Sequence, residues 1–336
     1  MSEAGRVYLE GVAGDGSIAR RNRDDWDRWS IVPRVLRQVG PADARSEVLG
    51  ILSSAPVWVA PVAAQGLGHP EAEVAVARAA RAAGLPIVLS QAASRDAEDV
   101  AAAAGVYLQQ IYLPEHRPAI EPFLDRVVAA GAAGVVLTVD QPASPHVHPF
   151  RLAAAAARPL VSPRRPPLPE GTPPAGALHV ADIAWLAART GLPVLVKGVL
   201  HPDDARAAVE AGAAGVVVSN HGGRQIGGSI TSARALPAVA AAVAARAAVL
   251  TDSGIDDADD VFRAVALGAD AVLIGRPVVR ALWDGGEDAA AALLAELRDE
   301  FAHSLQLAGY EDVAALRRAG RGALRALDGP EQKEER

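Results

Sequence analysis

What most constrains this chain is a repeat: short aliphatic runs, each followed by an alanine-rich segment with helical spacing. The runs are VWVAPV from Val57, PIVLSQ from Pro86, VYLQQIYL from Val106 and GVVLTVD from Gly134, then PVLVKGV from Pro193, GVVVSNH from Gly215, AVLTDSG from Ala248 and AVLIGRP from Ala271. Their apolar residues are continuous rather than alternating, as expected of parallel strands covered on both faces. The segments between them, such as HPEAEVAVARAARAAG, HPDDARAAVEAGAAG and DDADDVFRAVALGAD, carry acids near the start and glycine near the end. That asymmetry suits the helix dipole and the glycine cap that ends a helix. Eight such units predict an α/β fold, a (β/α)8 TIM barrel over residues 51–310 of the 336. An open, doubly wound sheet is the rival reading of the same pattern.

Two stretches break the rhythm. Residues 1–50, with RNRDDWDRW, predict a helical N-terminal cover for one end of the barrel. Residues 143–178, with SPHVHPF and RPLVSPRRPPLPEGTPP, predict a long loop after strand 4 that is a lid or a disordered insert. Residues 311–336 read as a C-terminal helix and a solvated tail, EQKEER. A net charge of -7 argues against a nucleic-acid partner, which needs clustered Lys and Arg. The absence of cysteine excludes disulfides, thiolate metal sites and a cysteine nucleophile, and suits a reducing compartment. The start, MSEAGRVYLEG, has no apolar targeting core, and no apolar run reaches the ~18 residues of a membrane span. The expectation is a cytoplasmic protein with a small-molecule partner and no resident metal.

In such a barrel the active site forms at the C-terminal ends of the strands. The polar residues expected there are Ser90 and Gln91, Gln110 and Tyr112, Thr138 and Asp140, Lys197, Ser219-Asn220-His221, Asp252, and Gly275-Arg276. Any one of these reads equally well as a turn or capping residue. As a set they bring hydrogen-bonding groups from nearly every strand to one mouth. TDSGIDD and LIGRPVV place glycine where backbone N–H groups can approach a ligand, with Arg276 for charge. A phosphate site built from the last two strand ends recurs in these barrels.

The stretch SNHGGRQ, preceded by VLVKGVLHPDDARAAVEAGAAGVVV and followed by LTDSG and DVFRAVALGADAVLIGRPVV, resembles the FMN-dependent α-hydroxy acid oxidases and dehydrogenases. These include glycolate-, lactate- and mandelate-oxidising enzymes. The likeness extends to IVPRVLRQV, APVAAQGLGHPEAEVAVARAA, LQQIYL and VVLTVDQP, so it covers most of residues 8–310. It implies that His221 is the catalytic base, taking a proton from the substrate hydroxyl or α-carbon as two electrons pass to flavin N5. Asp140 then orients the imidazole and stabilises its protonated form. Arg224 pairs with the substrate carboxylate, a role suited to a planar guanidinium. Tyr112 and Tyr8 hydrogen-bond the substrate. Lys197 lies near flavin N1 and O2, where its charge favours the reduced ring. Ser90, Gln110 and Thr138 bond the ring, Val62 and Ala63 form the turn beneath it, and Ser219 is a further flavin-site position. Asp252, Gly254, Gly275 and Arg276 meet the ribityl chain and phosphate. The likeness also implies oxygen or another electron acceptor and a homo-oligomer, commonly a tetramer.

The chain departs from that pattern at the substrate end. It begins almost at Tyr8, where the family carries a helical extension. A second carboxylate-binding arginine is missing near Val147, in DQPASPHVHPFR, where His146, His148 or Arg151 are candidates to replace it although their spacing does not match directly. An aromatic after strand 2 is Ala92, which leaves more room. Acids in GIDDADD replace an arginine after the strand 7 glycine, leaving Arg276 and the backbone to hold the anion. The expected substrate is therefore a bulkier, aryl or conjugated α-hydroxy acid, or an α-amino derivative. Two other classes are weighed: an FMN barrel without net oxidation, such as the type 2 isopentenyl diphosphate isomerases, which do not share the His-Gly-Gly-Arg-Gln site, and a catalytically impaired flavin-binding barrel, against which the retention of His221, Asp140, Arg224 and Lys197 together speaks.

Overall fold

The computed structural model describes residues 3–37, 40–141 and 178–327. The strands of its barrel are β1 (Val57–Val59), β2 (Ile87–Leu89), β3 (Tyr107–Ile111), β4 (Val135–Thr138), β5 (Val194–Val199), β6 (Gly215–Val218), β7 (Ala248–Thr251) and β8 (Ala271–Ile274). Each pairs in parallel with the next, and β8 returns to β1 to close the barrel. Closure rules out the doubly wound sheet, which has two free edges.

A strand's side chains alternate between faces, so each run serves two cores. Trp58, Val88, Leu108, Val136, Leu195, Val217, Leu250 and Leu273 point inward and form one buried cluster. Val48 and Ile51 join them from an antiparallel hairpin, Ser46–Val48 with Ile51–Ser53, which plugs the bottom of the barrel. Their neighbours, among them Val57, Ile87, Val135, Val196, Val216 and Val272, point outward into the larger core under the helices. The continuous apolar runs are thus the expected signature of strands buried on both sides.

Two helices precede the barrel: α1 (Glu3–Glu10) and α2 (Ser17–Asp27). The surrounding helices are α3 (Ala72–Ala83), α4 (Ala97–Ala103), α5 (Glu121–Ala129), α6 (Ala181–Thr190), α7 (Pro202–Glu210), α8 (Ser232–Val243), α9 (Ala258–Ala266), α10 (Arg276–Leu307) and α11 (Val313–Ala319). Their ends follow local chemistry. Pro202 opens α7 behind His201, whose ring accepts from Asp203 N, and Asp257 caps α9 by accepting from Asp260 N. Gly84 and Gly191 end α3 and α6 in the left-handed conformation.

The short strand Trp29–Ile31 after α2 pairs antiparallel with Leu324–Ala326, so the N-terminal segment is tied to the far end of the chain. The hairpin that plugs the barrel straddles residue 50. The proline-rich stretch predicted as a lid, with His146, Val147, His148 and Arg151, lies outside the described residues apart from Leu178, as does the tail after residue 327. No helix among the described residues is long and apolar enough to cross a membrane.

Candidate active site

Two residues beyond each inward aliphatic residue the same face recurs. Those positions are Ala60, Ser90, Gln110, Thr138, Lys197, Ser219, Asp252 and Gly275. One step separates a sealed apolar layer from a ring of polar groups, and the polar ones are all buried. The ring is bonded to itself. Gln110 Nε2 donates to Thr138 Oγ1 at 3.0 Å, and Gln110 Oε1 accepts from Gln91 N at 3.1 Å and Ser90 Oγ at 3.4 Å. Thr138 and Lys197 are register partners across β4 and β5. Lys197 Nζ lies 2.9 Å from Asp252 Oδ2 and donates to Ser219 Oγ at 2.9 Å.

A further step of two brings Tyr112, Asp140 and His221. His221 Nδ1 sits 3.0 Å from Asp140 Oδ1 and 3.2 Å from Oδ2. Burial works against the charge on Asp140, but His221 and then Lys197 outweigh it and hold the carboxyl below its usual range. The approach of Asp140 depends on a bulge in β5, where the register shifts at Gly198. Gly198 has φ +107°, and a Cβ there would stand 2.5 Å from Asp140 Cβ. His221 itself adopts φ +59°, a conformation that side chains disfavour and that often marks a functional position. Tyr112 is half-buried, and its backbone N–H is held by Gln91 Oε1 at 2.7 Å.

The two arginines converge on the end of α1. Arg224 Nη1 donates to the carbonyls of Tyr8 at 2.8 Å and Gly11 at 3.0 Å, and its guanidinium lies 5.0 Å from the centre of the Tyr8 ring. Arg276 donates from Nε to Leu9 O at 3.0 Å and from Nη2 to Gly222 O at 2.9 Å. Carbonyls at a helix C-terminus attract cations. Burial still pushes Arg224 below its ordinary value, and burial together with the charge of Arg224 pushes Arg276 down to about 10. Two like charges held side by side in a desolvated mouth repel one another, and a nearby negative charge would relieve them. Burial raises the Tyr8 phenol above its usual value, with Arg224 opposing.

Val62 and Ala63 lie in the loop after β1, where Val62 O accepts from Gln65 Nε2 at 3.1 Å. Gly275 sits beside them: a Cβ there would stand 3.1 Å from Val62 Cγ2. Gly275 also precedes the first turn of α10, whose N–H groups face an anion readily. Gly254 lies under α2, where a Cβ would fall 2.2 Å from Asn22 O, so the docking of the cover requires glycine there. The acids of GIDDADD have local partners. Asp257 caps α9, and Asp260 pairs with Arg23 and Arg263. Opposition between these two acids and an anion at the mouth is thereby relieved.

The sequence gives no sign of Asn22. Its side chain and that of Asn220 exchange hydrogen bonds, Asn220 Nδ2 to Asn22 Oδ1 at 2.6 Å and Asn22 Nδ2 to Asn220 Oδ1 at 3.1 Å. Asn220 Oδ1 also accepts from Gly223 N at 3.0 Å, so α2 braces the turn that carries His221. A surface hollow of about 630 Å³ lies elsewhere, lined by Asp25, Arg28, Trp29, Arg234 and Arg321, and none of the mouth residues borders it.

A polar ring with one lysine, an imidazole–carboxylate pair above it and buried guanidiniums beside it define an oxidoreductase-like mouth on a TIM barrel. Residues 1–321 match the family model described as FMN-dependent dehydrogenase, and the chain belongs to that family. It is 41% identical to an L-lactate oxidase of Alicycliphilus denitrificans, over 91% of this chain and 89% of that protein. It is 37% identical to a 4-hydroxymandelate oxidase of Amycolatopsis orientalis, over 93% and 91% of the two chains. Among solved structures it resembles a mandelate oxidase variant with 2-hydroxy-phenylacetamide, at TM-score 0.85 and 36% identity, covering 97% of this chain and 94% of that one.

Proposed function

We propose that the protein oxidises a bulky 2-hydroxy acid to the 2-oxo acid, with His221 as base and bound FMN as electron acceptor. The observation that carries this reading is the His221–Asp140 pair, at 3.0 Å, one register step above the Lys197 ring.

The residues present fit FMN. Ser90, Gln110 and Thr138 offer donors and acceptors for the polar edge of the ring, and Lys197 supplies a cation there. The loop at Val62 and Ala63 bounds the same space, with Ser219 beside Lys197. Gly254, Gly275 and the first turn of α10 offer backbone N–H groups to the phosphate, and Arg276 adds charge. When bound, the flavin takes up the electron pair that leaves the substrate. His221 Nε2 receives the proton, because Nδ1 is committed to Asp140. Asp140 fixes the tautomer and stabilises the imidazolium that results. Arg224 holds the carboxylate, with Tyr112 and Tyr8 placing the remaining oxygens.

Support for a bulky acid comes from the substrate end. Ala92, after β2, adds little volume, and by the resemblance Val147 falls near the position of a second arginine. Losing one of two charge-assisted partners costs about 1.5–3 kcal/mol of carboxylate binding. A large apolar group on the substrate offsets that at ~25 cal/mol per Å² buried. The relatives named for 4-hydroxymandelate and mandelate oxidation are consistent with this reading. The lack of cysteine supports a cytoplasmic enzyme, and the alanine-rich outer helices are compatible with a homo-oligomer.

The test is an anaerobic panel of glycolate, lactate, mandelate and larger aryl analogues, read as bleaching of the visible flavin band. Mandelate or a larger acid is expected to bleach it fastest. A preference for glycolate overturns the substrate assignment, and a colourless protein after reconstitution with FMN overturns the whole reading.

A further inference from the structure

The turn carrying His221 presents two consecutive backbone N–H groups, and a serine holds each. His221 N donates to Ser219 Oγ at 3.0 Å, and Gly222 N donates to Ser253 Oγ at 2.9 Å. The serines come from the ends of adjacent strands, β6 and β7, and they are linked. Ser253 Oγ donates to Asp252 Oδ1 at 2.7 Å, and Asp252 Oδ2 pairs with Lys197 Nζ at 2.9 Å. Lys197 Nζ in turn donates to Ser219 Oγ at 2.9 Å. The contacts close a loop that runs from His221 through Ser219, Lys197, Asp252 and Ser253 to Gly222. Ser253 is buried and held at φ +76°, where a side chain is disfavoured and glycine is not. A serine kept in that conformation carries a strain that glycine escapes, and its hydroxyl is what the strain maintains.

We propose that Ser253 is a positioning residue for the oxidation: its hydroxyl ties the turn of the base to the Lys197–Asp252 pair, so that imidazole and lysine keep one fixed relation. This rests on the reading of His221 as base and Lys197 as the flavin-facing cation. Ser253 acts through its neighbours. Its proton engages one oxygen of Asp252 and limits how strongly that carboxylate draws on the charge of Lys197. Its lone pair keeps Gly222, and with it the ring of His221, from turning away. A serine that only shapes the turn predicts the opposite pattern, since glycine suits the backbone better.

The variants Ser253→Gly and Ser253→Ala separate the two accounts. Both are expected to lower kcat by about 3- to 10-fold, the effect of one neutral hydrogen bond in the transition state, with KM within about twofold. The midpoint potential of bound FMN is expected to fall in both, because Asp252 then neutralises Lys197 more fully. Hydrogen exchange at the Gly222 amide is expected to quicken in the protein without FMN. Ser253→Gly is expected to fold at least as stably as the parent, so a poorly folded Ser253→Ala leaves the test intact. Wild-type kcat, potential and Gly222 exchange in Ser253→Gly overturn the proposal. If no 2-hydroxy acid reduces FMN in the parent protein, the functional reading fails instead, and unchanged exchange at Gly222 then overturns the bracing by Ser253 as well.

Discussion

The lower and upper layers of the barrel are made by the same strands, two residues apart, and they do different work. Below, Val88, Leu108, Val136, Leu195, Val217 and Leu250 meet around Trp58 and are shut off by the hairpin at Val48 and Ile51. Above, the same strands deliver Ser90, Gln110, Thr138, Lys197, Ser219 and Asp252. The lower layer needs only volume and apolarity, and so tolerates exchange among aliphatic residues. The upper layer needs particular partners, because a buried polar group left unpaired is costly. Stability and chemistry are thus stacked along one axis, and substitutions in each should separate them.

The largest effect is expected at the top. His221→Ala removes the proposed base and should slow flavin reduction by about 10²- to 10⁴-fold while FMN still binds, as stopped-flow absorbance with bound coenzyme would report. Reduction at the parent rate breaks the division, since the mouth would then owe its chemistry to another group. Next comes the layer beneath. Leu108→Ala is expected to cost about 2–5 kcal/mol in denaturant unfolding, with kcat nearly unchanged in the folded fraction. A loss of kcat with full stability would show that the layers are not separate.

The smallest effect lies outside both layers, on α2. Burial opposes the charge on Asp25, but Arg234 and Thr231 prevail and hold the carboxyl below its usual range. A depressed folded value means that the stabilisation is present above the unfolded carboxylate pKa of about 3.9 and is lost as pH falls through the lower folded value. Arg234 is half exposed, so the contribution is under about 1 kcal/mol. Asp25→Asn should lower stability near neutral pH by that amount, leave the value in acid below the folded pKa little changed, and so flatten the acid limb of the melting temperature against pH. An unaltered acid limb removes the pair from the account.

The barrel was legible because both its signals are local: unbroken aliphatic runs and helix caps within a few residues. The mouth positions were legible for the same reason, since each stands at the end of such a run. The bracing of the site was not. Asn22 meets Asn220, and the carbonyls of Tyr8 and Leu9 meet Arg224 and Arg276, across most of the chain, and nothing near either partner signals the other. Spacing alone also left the acids of GIDDADD looking like opponents of a phosphate. Folding gives Asp257 a helix to cap and Asp260 two arginines. Glycine carried a double meaning too: Gly254 reads as room for a ligand, yet it is equally room for α2.

The strand Trp29–Ile31 can find its partner, Leu324–Ala326, only after every strand of the barrel has been synthesised. On the ribosome, then, the eight-stranded body is complete before the chain's last described strand can tie the N-terminal segment to the far end of the protein.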